Sequence, residues 1–394
     1  MRDNSIRMAV GLIGTIALVG CSNSSGAILG GGLGGNQNCS STGPTYKIGY
    51  EGPLTGDSKQ FGINMLNGVH LAVAQANASK KLCFQLEVAP SDDAGSTAMA
   101  PAAAANLMQD SSVIGVIGPA FSGAAAAVGK PYAAAGMPLI SPSATDGSLT
   151  QQGFTTFHRI VPTDSVEGRA TADYLAAKFK KVVVIDDQST YGAGVAQVVA
   201  TELRAKGVGI IQQSIAPTTD YSAIATKVAS SGAQAMYYGG FDAQAGLLAK
   251  ALEAASYKGF RMSGNAGKSA TFTSTAGVAG NGYHFACGCL DANTAPSAAV
   301  FKKAYIGKFH TPPSSYSPEA YDATNAMISA MNAAHGEGAL TRASVEVAVK
   351  DLNFSGITSQ IKFTPTGDVQ QATVNLYEQR KGKIVLLGDI KEEH

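Results

Sequence analysis

Hydroxyl side chains gather at the ends of two apolar runs. Val113 to Ile117 is rich in β-branched residues, is halted by Gly118-Pro119, and leads to Ser122 at the head of an alanine-rich stretch. A second run, Met137 to Ile140, ends in Ser141, Ser143 and Thr145. Such runs read as buried parallel strands, the first feeding a helix N-terminus. That terminus carries unpaired N–H groups at the positive end of a dipole and favours an anion. In an open α/β sheet both loops fall at the carboxyl ends of strands, where ligands bind, so the pair predicts a grip on a carboxylate.

Catalytic chemistry finds no comparable pattern. The chain has neither a Gly-x-Ser-x-Gly elbow nor a His-Glu-x-x-His pair. Ser122 as a nucleophile would need a base, and none is visible. Gly267-Lys268-Ser269 resembles the end of a phosphate loop, but Met262 stands where the leading glycine is required. The six histidines, among them His158, His284 and His310, do not cluster by spacing. Gly30 to Gly35 formally matches a dinucleotide fingerprint, yet no strand precedes it and no helix follows. The reading is a binding protein without cofactor or metal.

The elements that position the hydroxyls alternate regularly. Tyr46 to Glu51 reads as a strand, Phe61 to Ala78 as a helix with Ile63, Leu66, Val69 and Val73 at helical spacing, and Leu82 to Val88 as a second strand. Ser96 to Asp110 is helical, and Phe154 to Ile160 is a strand after the two runs already described. After Val161-Pro162-Thr163-Asp164 the pattern restarts, with strands at Val182 to Ile185, Ile210 to Ile215, Ala235 to Tyr238, Phe260 to Met262 and Tyr283 to Cys287 between helices. The chain crosses back near Asp291, runs through three helices between Ala298 and Asp351, and ends in a β pair turned at Arg380-Lys381-Gly382. Strand–helix alternation predicts parallel sheets with helices on both faces. Two lobes traversed discontinuously predict a multi-strand hinge that opens and closes around a ligand.

At 394 residues the chain is long enough for two domains, and a net charge of +1 with 14% charged residues offers no basic stripe to nucleic acid or an acidic surface. Arg2 and Arg7 flank an n-region, and the apolar stretch Met8 to Val19 is too short to span a bilayer as a helix. It reads as an export signal over 1–20. Leu18-Val19-Gly20-Cys21 resembles the lipobox of bacterial lipoproteins, which makes Cys21 the expected lipidation site; Ser22 leans weakly to an outer-membrane anchor. Residues 21–44, rich in Ser, Gly and Asn, read as a tether. Export to an oxidising compartment makes a Cys39–Cys83 disulfide plausible, since these cysteines sit near the starts of two neighbouring parallel strands. Cys287 and Cys289 either bridge locally or stay reduced and buried.

Gly52-Pro53-Leu54-Thr55-Gly56, Val116-Ile117-Gly118, Ser141 to Thr145, Phe157-His158-Arg159, Tyr191-Gly192 and Tyr237-Tyr238-Gly239-Gly240 resemble, in order, the periplasmic leucine/isoleucine/valine-binding proteins. These are type I substrate-binding proteins of ABC importers, and the likeness covers residues 45 to 390. It implies an α/β fold of two doubly wound parallel-sheet lobes, one from 45–162 with 292–366 and one from 163–291 with 367–394. It also implies a monomer that binds a branched-chain or other neutral amino acid, or a related carboxylate, and delivers it to a membrane permease and ATPase. By the resemblance, Ser122 and Thr145 hold the ligand carboxylate through hydroxyls and N–H groups, and the Ser143 carbonyl accepts from the ammonium. Phe61, Tyr191 and Phe241 line the side-chain pocket, Phe61 and Phe241 standing where the resembled proteins carry tyrosine. Those proteins place an acid for the ammonium in a Gly-Pro-Glu-Gly-like turn, where this chain reads Gly264-Asn265-Ala266-Gly267. A buried ammonium without a counter-charge is expensive, so Asp242 is the candidate replacement, with Glu51 and Asp187 behind it. The disulfide of the resembled proteins is expected to be absent, Gly95 and Phe121 taking its place. A ligand sensor or cell-envelope regulator of the same fold is the alternative reading.

Overall fold

The computed structural model describes residues 43–338 and 340–393. The export signal, Cys21, the tether to residue 42 and Cys39 lie outside the described residues. The first sheet contains β1 (Thr45–Gly52), β2 (Gln85–Asp92), β3 (Val113–Ile117), β4 (Leu139–Ser141) and β5 (Phe157–Arg159). All run parallel, in the order β2-β1-β3-β4-β5. Interleaved are α1 (Lys59–Ser79), α2 (Ala100–Gln109) and α3 (Ser122–Ala134). The second sheet is built from β6 (Lys181–Asp186), β7 (Gly209–Ser214), β8 (Ala235–Gly239), β9 (Phe260–Ser263) and β10 (Tyr283–Cys287). Its helices are α4 (Asp164–Lys178), α5 (Thr190–Ala205), α6 (Ser222–Ser230), α7 (Asp242–Ala254) and α8 (Ala270–Ala276). The chain then supplies α9 (Ala299–Phe309), α10 (Ser317–Gly336) and α11 (Arg342–Lys350), a hairpin of β11 (Asn353–Ser355) and β12 (Gln360–Lys362), and the pair β13 (Asn375–Arg380) and β14 (Lys383–Asp389). β13 and β14 join the second sheet antiparallel, giving the order β14-β13-β10-β9-β8-β6-β7.

Local chemistry explains these elements. The central strands are buried on both faces, so β3 and β8 carry five buried residues each and read as apolar runs. In α1 the inward face is Phe61, Met65, Val69 and Ala72, a stripe one turn apart, rather than Ile63 and Leu66. Gly68 on this helix lets α1 meet α10 directly: a Cβ there would lie 2.4 Å from the Ser317 carbonyl oxygen. The second strand runs further than expected, through Pro90 to Asp92, because β2 is an edge strand and a missing N–H costs nothing on its open side. Two short elements escaped the sequence reading, the β11–β12 hairpin and α8, which Ser269 caps by accepting from the Phe272 N–H at 3.0 Å.

The chain passes between the two sheets after β5, after β10 and after β12, and these crossings are bundled together. Gly288 abuts Pro162, the Tyr377 hydroxyl donates to the Cys289 carbonyl at 2.7 Å, and Arg159 pairs with Asp368 at 2.7 Å. Cys287 and Cys289 are bonded to each other within this bundle, so the local bridge is the alternative realised. Cys83 is disulfide-bonded as well.

Candidate ligand-binding cleft between the lobes

Ser122 is the first residue of α3, and its N-cap is Phe121, whose ring cannot cap the helix. The first-turn N–H groups of α3 therefore lack an intrahelical acceptor and a side-chain cap. Ser122 Oγ instead reaches across to the second hydroxyl loop, accepting from the N–H groups of Thr145 and Asp146, each at 3.2 Å. Two further hydroxyls lace the loops together. Ser141 Oγ donates to the Pro119 carbonyl at 2.7 Å, and Ser143 Oγ donates to the Ala120 carbonyl at 2.6 Å. Behind them the fully buried Arg159 guanidinium donates to the carbonyls of Ala144 at 3.0 Å and Asp146 at 2.7 Å. The two loops thus form one braced unit, with the Ser122 hydroxyl hydrogen left for an acceptor outside it.

The braced loops face a narrow cavity lined by Phe61, Phe121, Ser122, Ser143, Tyr191, Phe241, Asn265, Ala266 and Tyr316. Five rings follow one another around it. Centroid separations are 6.2 Å for Tyr316 to Phe61, 6.3 Å for Phe61 to Phe121, 4.8 Å for Phe121 to Phe241 and 5.7 Å for Phe241 to Tyr191. The Phe121–Phe241 contact joins the N-terminus of α3 on one sheet to that of α7 on the other, so the belt spans both lobes. Gly95, expected at the position of the absent disulfide, packs on the Phe121 ring; a Cβ there would stand 3.0 Å from it.

The floor of the cavity is a polar cluster. Asn265 donates its N–H and Nδ2 to Glu167 at 3.0 and 2.9 Å, and its Oδ1 accepts from the Tyr316 hydroxyl at 2.6 Å. Tyr191 Oη accepts from the Ala266 N–H at 3.3 Å. Gly264 is required here, because a Cβ would fall 2.5 Å from Tyr191 Oη and 2.8 Å from both Glu167 Oε1 and Tyr237 Oη. Burial pushes the Glu167 carboxyl up to about 7 against the pull of the Asn265 donors. Asp164, with both oxygens buried, is held well above the usual carboxylate range by burial, against the pull of the Thr145 hydroxyl and with the neighbouring Glu167 and Asp146 charges adding to it.

Of the residues singled out in the sequence, Phe61, Ser122, Ser143, Tyr191 and Phe241 meet at this cavity. Thr145 stands one step behind it. Its N–H is spent on Ser122 Oγ, its carbonyl accepts from the Asp164 N–H at 2.8 Å, and its buried hydroxyl lies against the Asp164 carboxyl. The structure does not bring Asp242 to the lining. Its carboxylate turns back to accept from the Ser269 hydroxyl at 2.5 Å and the Ala243 N–H at 2.8 Å, tying the start of α7 to the start of α8. Burial raises its pKa to about 6. Glu51 accepts from the Tyr132 hydroxyl and Asp187 from Ser189, and neither acid lines the cavity. Phe121, Asn265 and Tyr316 were missed as lining residues. Tyr316 carried a signal in retrospect: it holds a left-handed φ of 66° just before Ser317-Pro318 opens α10, a strained position of the kind found at ligand sites.

A cavity between two α/β lobes, with a hydroxyl-rich loop pair on one and rings from both, defines a two-lobed solute-binding protein. The family model described as periplasmic binding protein matches residues 45–383, and the chain belongs to that family. It is 28% identical over 346 residues to the Leu/Ile/Val-binding protein BraC3 of Rhizobium johnstonii, covering 86% of this chain and 92% of that one. It is 28% identical over 348 residues to a protein named amino acid binding protein from Pseudomonas aeruginosa, covering 85% of this chain and 91% of that one. Among solved structures, LivJ of Streptococcus pneumoniae in complex with isoleucine, a branched-chain amino acid transporter substrate-binding protein, superposes with a TM-score of 0.78 at 28% identity, covering 87% of this chain and 99% of that one. A solute-binding protein of an ABC transporter from R. palustris, in complex with benzoate, shares the fold with a TM-score of 0.77 at 21% identity, covering 88% and 96%. The chain is accordingly a periplasmic binding protein of the branched-chain amino acid ABC transporter type, and its relatives are binding proteins rather than enzymes.

Proposed function

We propose that this protein is the lipid-anchored receptor of an ABC importer that captures a neutral amino acid or related small carboxylate between its lobes. The observation that carries the reading is the juxtaposition of Ser122, at the exposed end of the α3 dipole, with rings drawn from both lobes. The carboxylate docks on the first lobe, held by the Ser122 hydroxyl and the first-turn N–H groups of α3, with Thr145 and Ser143 shaping the loop that faces it. The apolar body lies against Phe61, Tyr191 and Phe241. Lobe units of 45–162 with 292–366 and 163–291 with 367–394 close about the bundled crossings, and the closed form is what a permease and its ATPase recognise. Residues 1–20 direct export, Cys21 carries the lipid that retains a monomeric receptor at the cell envelope, in the outer membrane by the Ser22 signal, and 21–44 tether it.

Micromolar capture needs about 8 kcal/mol, within reach of charge-assisted hydrogen bonds plus one enclosed apolar group. The test is a thermal-shift screen of amino acids and other small carboxylates, followed by uptake in cells with and without the gene. A carboxylate that raises the melting temperature and whose uptake needs the gene supports the reading. Binding without any uptake defect assigns the chain to ligand sensing instead. Fatty-acid labelling that persists in Cys21→Ser would remove Cys21 as the anchor site.

A further inference from the structure

We propose that the cleft selects an apolar, ring-bearing monocarboxylate that carries no ammonium group. This deepens the solute-capture reading above and rests on it.

The first argument is an inventory of acceptors. An ammonium buried in the cavity needs three hydrogen-bond acceptors and a counter-charge, since a buried unpaired ion costs several kcal/mol. No charged side chain lines the cavity. Among its polar side chains, Asn265 Oδ1 and Tyr191 Oη each already accept one hydrogen bond, from Tyr316 and Ala266, and Ser143 Oγ donates to the Ala120 carbonyl, so the lone pairs that remain belong to uncharged groups and supply no counter-charge. Ala266 adds only a methyl to the lining.

The second argument is where the nearby acids point. Both Glu167 oxygens are taken by Asn265, which stands between that carboxyl and the cavity. Asp242 is turned to Ser269 and the α7 N-terminus. Asp164 is buried behind Thr145, outside the lining, and burial favours its neutral form. The site is therefore built for one charge only, an anion at Ser122.

The third argument is the belt. Five rings line the space left to the rest of the ligand, meeting one another in tilted and edge-on contacts. A flat ring or a compact branched body gains offset-stacked and edge contacts from such walls. A polar or extended side chain gains nothing there.

The experiment uses the full chain in detergent and calorimetric titration with matched pairs: 3-phenylpropanoate against phenylalanine, 4-methylpentanoate against leucine, and benzoate alone. The expected result is at least tenfold tighter binding of the amine-free member in both pairs, with an aromatic carboxylate the tightest ligand. Equal or tighter binding of the amino acid in either pair overturns the inference while leaving solute capture intact. Failure of every probe of both kinds overturns solute capture of carboxylates and this inference with it. Ala266→Glu supplies a second readout: it restores a counter-charge at the cavity and reverses the order in each pair by tenfold or more. A folded Ala266→Glu chain that keeps the wild-type order counts against the missing charge as the discriminator.

Discussion

Ser122→Ala separates bracing from ligand capture. In the structure its Oγ is the acceptor for two N–H groups, and one of the residues supplying them, Thr145, is 2% exposed. Deleting the acceptor leaves the Thr145 N–H buried and unsatisfied, at a cost of about 1–3 kcal/mol. The Asp146 N–H belongs to a half-buried residue that water can reach, so its loss is smaller. A destabilisation of about 2 kcal/mol follows, read as a lower urea midpoint at unchanged slope by far-ultraviolet circular dichroism. The hydroxyl hydrogen is also the one side-chain donor aimed at the anion, and a hydrogen bond to a charged group is worth about 1.5–3 kcal/mol. Calorimetry should therefore show the dissociation constant of a bound carboxylate rising about ten- to a hundredfold. A stability loss with affinity unchanged within twofold would make Ser122 a loop brace and nothing more, and the assignment of the anion site would fall.

Three other outcomes follow from the same geometry. Burial raises Glu51 to about 8 from the ordinary 4.5, so the unfolded chain releases its proton first and folded-state stability falls as pH rises between those values, by on the order of 4 kcal/mol in all. Glu51→Gln removes that loss while keeping an acceptor for the Tyr132 hydroxyl; its urea midpoint should gain on the wild type from pH 5 to pH 8, and parallel curves would refute the assignment. Phe241→Ala deletes ring contacts to both Phe121 and Tyr191 and should weaken ligand binding by about 2 kcal/mol, checked by calorimetry. Asp242→Asn should lower stability by about 1 kcal/mol through the Ser269 contact and alter the affinities of amino acids and amine-free carboxylates alike; a loss confined to amino acids would show that Asp242 turns to the ligand after all.

What the sequence disclosed depended on range. Apolar runs broken by Gly-Pro and hydroxyls placed β3, β4 and the head of α3 correctly, because parallel strands buried on both faces announce themselves locally. The second strand reads as ending at Val88, short of Pro90, because a proline is tolerated in an edge strand and local pattern cannot tell an edge strand from a central one. Side-chain direction was out of reach. Asp242 follows Phe241 immediately and was expected at the ligand, yet its partner Ser269 lies on another helix, twenty-seven positions away in the chain. Phe121 read as the place of a missing cysteine, and only the packing of Gly95 against its ring shows that the loss of one bond makes room for an aromatic wall. Asn265 and Tyr316 come together from segments fifty-one residues apart.

The two halves of the cleft divide the work of capture. Both hydroxyl loops belong to the first sheet, so in the proposed reading the carboxylate grip needs no closure and the ligand docks on the open receptor. The second lobe contributes rings and a polar floor, with Phe241 packed between Phe121 and Tyr191. A ligand shifts the open–closed balance only by the contacts it makes better in the closed state. Closure must then be driven by the apolar body of the ligand and docking by its charge. It follows that Ser122→Ala should raise the concentration needed for closure but leave the closed fraction at saturation unchanged, whereas Phe241→Ala should lower that fraction. Small-angle scattering at saturating ligand reads it directly. A Ser122→Ala chain that stays open at saturation would show instead that the anion itself bridges the lobes.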